Sequence, residues 1–365
     1  MNPTFSLFTV RAVQVPSRTI IAPAGPRAEE RGVMGTAAAL VRALLAVVAA
    51  LTPAAAAACG PWPGAGAPSR PELRIMVPNI PGGGYDTTAR TVAKVLSDTG
   101  IASDVQVFNL PGAGGVVGLQ RLVNERGNGA LAMQMGLGVL GASSVAGGRV
   151  SVAQTTPIAR LVAEPGAVVV PSDSPFRTIG ELITAWKKDP ARVRIGGGSS
   201  PGGPDHLMSM RLAEAVGIDP REVRYTSYDG GGGELLPVLL DGRLTFGASG
   251  FGELLGQIRA GQLRVLAVTS DRPAAPLGDV PTLKSQGIDL VFTNWRGIVA
   301  PPGISADERR TWIEALTAMR RTRQWRAELA RHGWIDAFAT GEEYATFLDD
   351  QSKAVARFLA DLGTS

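Results

Sequence analysis

Pro81-Gly82-Gly83-Gly84-Tyr85-Asp86 follows the apolar run Leu73 to Val77 and opens an apolar-periodic segment, Asp86–Ser97. Three successive glycines let the backbone pass close to a ligand and turn several N–H groups toward one point. A helix starting there adds the partial positive charge of its first turn. Strand, glycine loop and helix start, in that order, make a site for an anion. The plainer reading is a tight strand-to-helix turn with Asp86 as N-cap. Recurrence favours binding. Asn109-Leu110-Pro111-Gly112-Ala113-Gly114-Gly115, Gly196 to Gly203, Asp229 to Gly233 and Ser249-Gly250-Phe251-Gly252 each follow an apolar strand pattern and precede a helical one.

Around these loops the chain alternates. Strands are expected at Leu73–Val77, Val105–Phe108, Ala130–Met135, Gly166–Val170, Val193–Gly196, Val223–Thr226, Leu244–Ala248, Leu263–Val268 and Gly297–Ala300, with helices between them. In Asp86–Ser97 the residues Ala89, Val92, Ala93 and Leu96 share one helical face. Thr178, with Glu181 three residues on, reads as a capping box for a helix through Lys188. Such alternation implies α/β layers with largely parallel strands. Proline-flanked turns at 170–175 and 269–273 read as crossings between two lobes. Lobe 1 would comprise 71–172 and 271–365, and lobe 2 would comprise 173–270. The tail from Ala306 reads as helical to Asp361, broken near Gly333 and Gly341. In open α/β sheets ligands sit beyond the carboxyl ends of the strands, so loops from both lobes would meet in one cleft.

The start of the chain reads as an export signal. Met34 to Arg42 is a short segment with one positive charge, and Ala43 to Leu51 is an apolar core too short to span a bilayer. Ala56-Ala57-Ala58 ends a small-residue run in a cleavage pattern, and translation starting at Met34 fits this layout. Residues 1–58 are thus the export signal with an upstream segment, and the Pro/Gly-rich stretch 59–70 is a flexible tether. Residues 1–58 hold five arginines and two acids, and the rest carries 31 basic and 30 acidic residues. The mature part is nearly neutral and lacks a basic run with interleaved aromatics, which argues against nucleic acid. Cys59 is the sole cysteine, so no internal disulfide forms. It is the lipidation candidate, because Ala56-Ala57-Ala58-Cys59 resembles a lipobox without the usual Leu. The other reading is a simple peptidase cut that leaves a free thiol.

Enzyme and cofactor motifs are weak. Gly112-Ala113-Gly114-Gly115-Val116-Val117-Gly118 has Val117 where a dinucleotide fingerprint needs its third glycine, and no acid ends the next strand. No Gly-Lys-Ser/Thr occurs. Of the two histidines, His332 sits at a helix end where a C-terminal cation explains it. His206 starts a helix beside a glycine loop and either faces a ligand or packs in the first turn. No catalytic triad or metal-ligand cluster stands out, so neither catalysis, cofactor nor metal is expected. In Asn294-Trp295-Arg296, Arg296 either pairs with a carboxylate through its planar fork or lies on the surface beside a packed Trp.

Together these residues resemble the substrate-binding receptors of tripartite tricarboxylate transporters, also called the Bug family. The likeness rests on Val77-Pro78 with Pro81 to Arg90, on Asn109 to Gly115, and on Gly202-Gly203-Pro204-Asp205-His206. It continues through Tyr228 to Gly232, Leu263 to Val268, Asp279-Val280-Pro281-Thr282 and Asn294-Trp295-Arg296-Gly297. It covers about 71–362, and it is the order and spacing that are specific. The first loop and Asn294-Trp295-Arg296 look most like the tricarboxylate branch. The resemblance implies a type II periplasmic-binding-protein fold, two α/β lobes with the ligand cleft between them. It implies carboxylate binding through main-chain amides at Gly83, Gly84, Tyr85 and Asp86, and at Ser199, Ser200, Gly202 and Gly203 of the opposite lobe. His206, Tyr228, Ser249 and Arg296 complete the candidate ligand-binding set. The expected protein is a monomeric, exported receptor, periplasmic or on the outer face of the membrane. It would pass a tricarboxylate such as citrate, or a dicarboxylate, to the transporter's membrane components. The alternatives are a receptor for another small anion or metabolite, or an α/β enzyme.

Overall fold

Side chains on Leu73–Val77 (β1) alternate between two apolar cores, Met76 entering one and Ile75 and Val77 the other. This is the period of two that a strand covered on both faces requires. The computed structural model describes residues 73–228, 231–272 and 280–363. The export signal, the tether with Cys59, and Asp229, Gly230, Pro273 and Asp279 of the motifs lie outside the described residues.

β1 leads through the first glycine loop into α1 (Gly84–Asp98). There follow β2 (Val105–Asn109), α2 (Val116–Asn124), β3 (Leu131–Gly136), α3 (Leu137–Val145) and the long β4 (Thr156–Pro171). Next come α4 (Ile179–Lys188), β5 (Arg194–Gly197), α5 (Pro204–Ala215), β6 (Arg224–Ser227), α6 (Gly232–Leu240), β7 (Phe246–Gly250), α7 (Phe251–Arg259) and β8 (Leu263–Val268). The chain closes with β9 (Thr293–Ala300), α8 (Ala306–Arg320), α9 (Arg323–His332), β10 (Ile335–Thr340) and α10 (Gly341–Asp361).

The strands run β2-β1-β3-β9-β4-β7-β5-β6, with β8 and β10 also paired to β4. β4 is the spine. Its first part, Thr156–Pro165, pairs with β9 and β10, and its second, Gly166–Pro171, with β7 and β8. The outer strands are parallel, as expected, but every pairing of β4 and the β3–β9 pairing are antiparallel. The chain therefore changes sheet inside β4, at Pro165–Gly166, rather than in the 170–175 turn. It returns at Phe292–Thr293 rather than at 269–273, because Leu283, Ile288 and Leu290 still pack on the second core. The expected all-helical tail is also corrected. Its breaks are real, with Gly333 and Gly341 at φ 67° and 62°, but β10 lies between them as an edge strand on β4.

Each sheet is covered on both faces. On the first, Val92 and Leu96 of α1 pack with Trp312 and Leu316 of α8, while Leu119 of α2 and Leu140 of α3 pack with Leu348 of α10. On the second, Trp186 of α4 and Leu212 of α5 lie opposite Leu235 of α6 and Leu254 of α7. Each fully buried Leu or Val contributes about 1.5–3 kcal/mol. The Thr178–Glu181 capping box forms as read, Thr178 Oγ1 accepting from the Glu181 N–H at 3.2 Å. Helix starts thus stand at the carboxyl ends of β1, β5 and β7.

Candidate functional site

The glycine loops of both lobes meet over a cavity of about 220 Å³. The first lobe supplies Gly83, Gly84 and Tyr85 at the start of α1, Gly112–Gly115 before α2, and Asn294 and Arg296 from β9. The second supplies Ser199, Ser200, Gly203 and Asp205 around the start of α5, Gly231 before α6, and Glu253 in the first turn of α7. Close backbone approach requires glycine here. A Cβ on Gly141 of α3 would collide with the Gly202 carbonyl oxygen, and one on Gly231 would lie 3.6 Å from the Cα of Gly83 across the cleft. The first N–H groups of a helix have no intrahelical partner, so α1 presents donors toward this space.

Seven of the candidates line the cavity: Gly83, Gly84, Tyr85, Ser199, Ser200, Gly203 and Arg296. The other five stand behind it. Asp86 is not the N-cap, which is Gly83, but lies in the first turn of α1. Its carboxylate accepts from the Gly82 N–H at 3.0 Å, from Arg90 Nε at 2.9 Å and from Asn109 Nδ2 at 2.9 Å. Burial opposes its charge, yet these bonds outweigh burial and hold the carboxyl below its usual range. His206 accepts from the Gly202 N–H through Nδ1 at 3.2 Å and meets Tyr225 edge to face. Burial pushes it down to about 4, so it is a neutral acceptor that shapes the loop. Gly202 packs against Gly141, Tyr228 gives its N–H to the Gly197 carbonyl, and Ser249 lies buried beside Asp205. His332 is not the expected helix-end cation: it stacks on Trp334, and burial lowers its pKa.

Arg296 is buried rather than on the surface, with 1% of its side chain exposed. Its Nη2 lies 2.5 Å from Glu164 Oε2 and 3.1 Å from Glu253 Oε1. Burial works against its charge, but the two glutamates outweigh that and raise its pKa. Glu253 Oε2 also accepts from the Gly232 N–H, the first residue of α6, at 3.3 Å. Burial, then repulsion from Glu164, push the Glu253 carboxyl up. Asp205 Oδ2 accepts from the Gly198 N–H at 2.6 Å, and burial followed by repulsion from Glu253 pushes its carboxyl up to about 8. The Tyr85 hydroxyl accepts from the Gly138 N–H at 3.0 Å, and burial holds it neutral, with a pKa pushed up to about 12. Sequence reasoning missed Glu164, Asp205 and Glu253. In sequence Asp205 and Glu253 look like ordinary first-turn acids of α5 and α7. Among the described residues, no group of three or more His, Cys, Asp or Glu is arranged to hold a metal ion.

Two α/β lobes sharing a strand, with glycine loops from both closing on a small cavity, define a solute-binding protein of the periplasmic type. The chain belongs to the tripartite tricarboxylate transporter receptor family, whose model matches residues 88–364. It is 27% identical over 301 residues to the UPF0065 protein in gbd 5'region of Cupriavidus necator, covering 81% of this chain and 88% of that one. In fold it is similar to the Rhodopseudomonas palustris protein Rpa4515 solved with adipate (TM-score 0.73, 20% identity, 81% and 98% of the two chains). It is likewise similar to MatC of the same organism with bound malate (TM-score 0.68, 18% identity, 78% and 98%). The family is one of solute receptors that serve a membrane transporter, not of enzymes. Among the described residues no helix is long and apolar enough to cross a membrane.

Proposed function

We propose that this receptor captures a small carboxylate, a dicarboxylate or a tricarboxylate such as citrate, and delivers it to the membrane components of a tripartite tricarboxylate transporter. The observation that carries this reading is the convergence of glycine-loop backbone from both lobes, helix starts and Arg296 on one small cavity. Main-chain donors and a guanidinium are what carboxylate oxygens pair with, each charge-assisted bond being worth about 1.5–3 kcal/mol. Two neighbours of the same fold were solved with dicarboxylates, malate and adipate. The contributing residues in this reading are the cavity-lining Gly83, Gly84, Tyr85, Ser199, Ser200, Gly203 and Arg296. Asp86, Gly202, His206, Tyr228 and Ser249 hold the loops. The ligand-free monomer opens about the two sheet crossings and closes on binding. Export leaves a mature chain beginning at Cys59, lipid-anchored if that thiol is modified.

Titration calorimetry with citrate, malate and adipate tests the reading. At 100 times Kd, a bound carboxylate should stabilise the fold by about 2.7 kcal/mol. Absence of any carboxylate binding at millimolar concentration would refute it. Intact mass of exported protein tests the Cys59 start, and an N-terminus at or before Met34 would overturn it.

A further inference from the structure

Arg296 is the only Lys or Arg among the described residues lining the cavity, and it is already countered. Glu164, with 1% of its side chain exposed, and Glu253 both pair with it. That leaves the cluster one formal negative charge in excess, without counting Asp205, which lines the same cavity and holds its proton up to about pH 8. The Glu253 carboxylate holds the place a ligand carboxylate would want. It takes the Gly232 N–H at the start of α6 and one arm of Arg296, and it sits against Gly84 at the start of α1.

Two buried polar groups in the wall ask for opposite partners. Arg296 Nε and Nη1 are donors without an acceptor, on a side chain that is 1% exposed. Asn294 Oδ1 is an acceptor without a donor, on a residue that is 7% exposed. Buried polar groups of this kind are normally paired, so each identifies a complement the ligand should bring. A carboxylate satisfies Arg296. Asn294, Glu253 and Asp205 call for N–H groups.

We propose that the site selects an amino-carboxylate, whose carboxylate meets Arg296 and whose ammonium faces Glu253 and Asp205, over polycarboxylates of the same length. This rests on the carboxylate-receptor reading above and narrows it away from citrate. A second ligand carboxylate would enter a wall already in negative excess, and burying like charges together is costly. An ammonium cancels that excess. Burial raises the pKa of both carboxyls, with repulsion from Glu253 adding to it at Asp205 and repulsion from Glu164 adding to it at Glu253, consistent with a wall short of positive charge.

The test compares chain-matched pairs by calorimetry: 4-aminobutyrate with succinate, 5-aminopentanoate with glutarate, and 6-aminohexanoate with adipate. Each pair has the same number of carbons, the last one carrying an ammonium in one member and forming a carboxylate in the other. The amino member of the best-binding pair should bind at least tenfold more tightly, about 1.4 kcal/mol. Glu253→Gln should erase or reverse that preference. It keeps an acceptor for the Gly232 N–H and leaves Arg296 paired with Glu164, and its thermal unfolding reports whether it folds. The wild-type ranking decides even if the variant does not fold. Diacids binding as well as or better than their amino partners would overturn the proposal while the receptor reading stands. Failure of every carboxylate, amino or not, would sink both.

Discussion

The loops Gly82–Asp86 and Gly202–His206 are one backbone device built twice, once in each lobe. Gly82 and Gly202 have φ of 90° and 84°, and the N-caps Gly83 and Gly203 have φ/ψ of −75°/173° and −76°/172°. In each, the first N–H is taken by the side chain four residues on, Asp86 in one lobe and His206 in the other. The acceptor's charge is thus immaterial to the turn. The difference lies at the next two positions. The first loop continues Gly84-Tyr85, an available N–H and a neutral phenol. The second continues Pro204-Asp205, with no N–H at the proline and a carboxyl on the cavity wall. With Arg296 on the first side and Glu253 on the second, the cleft has a donor face and an acceptor face. Shared geometry therefore builds the cleft, and side-chain divergence gives it polarity.

The largest expected effect breaks the donor face. A Cβ on Gly84 would collide with Arg296 Nη2 and Glu253 Oε1, so Gly84→Val should displace both and block the α1 start. A loss of about 100-fold in affinity is expected, the worth of one to two charge-assisted bonds. A Cβ on Gly203 first meets Ser199 and Ser200 of its own loop, 2.6 Å from the Ser199 Cβ, so Gly203→Ala should cost less. Equal losses from the two, read by calorimetry, would erase the asymmetry. Next in size is Gly141→Ala, which wedges the lobes where α3 meets Gly202. Affinity should fall about tenfold, roughly 1.4 kcal/mol, although the residue does not line the cavity. Small-angle scattering should show the radius of the variant failing to shrink with ligand. A wild-type response would mean that this contact is not part of closure.

The glycine loops were legible because strand, glycine and helix start are local patterns. β1 and β8 have the bounds their apolar runs suggest. The first half of β4 was not, since Pro157, Arg160, Glu164 and Pro165 interrupt any alternation and only pairing with β9 and β10 makes it a strand. β10 hides for a related reason: it is a short edge strand whose Ile335 is 46% exposed. In sequence Arg296 reads as a carboxylate partner or a surface residue, but its actual partners are the chain's own. Nothing local to Glu164 or Glu253 announces that β4 and α7 bring both to β9.

A smaller effect separates the two acceptors behind the loops. Asp86→Ala removes bonds to Gly82, Arg90 and Asn109, and should cost about 2 kcal/mol in urea unfolding. Because the Asp86 pKa is depressed, this contribution is present above the unfolded carboxyl's pKa and is lost as pH falls through the folded one. His206→Ala leaves one N–H unpaired and should cost about 1 kcal/mol or more, with the opposite chemistry behind it. His206 stays neutral with a pKa near 4 against 6.5 unfolded, so its contribution is full above pH 6.5 and declines as pH falls toward 4. Identical pH profiles for the two variants would show that one of these protonation states is misassigned.

The smallest effect is a slope rather than a loss. The Asp205 pKa is raised from 3.8 to about 8 by burial and by Glu253, so the folded chain holds a proton there that the unfolded chain has released. Where the folded state binds more protons, stability falls as pH rises, by up to about 1.4 kcal/mol per pH unit for a single proton. The Asp205 contribution is full below the unfolded value of 3.8, declines between about 4 and 8, and is gone above. Below pH 6.5 the opposite trend of His206 offsets it, which leaves pH 6.5–8 as the window in which the decline shows. Asp205→Asn should therefore make the slope across that window shallower, because the amide cannot titrate. The first loop offers the control, since Tyr85 at the matching position does not ionise below pH 8. Thermal or urea unfolding of wild type and Asp205→Asn at pH 6.5 and pH 8 measures the difference. A slope unchanged by the substitution would show that the acceptor face takes up no proton at Asp205.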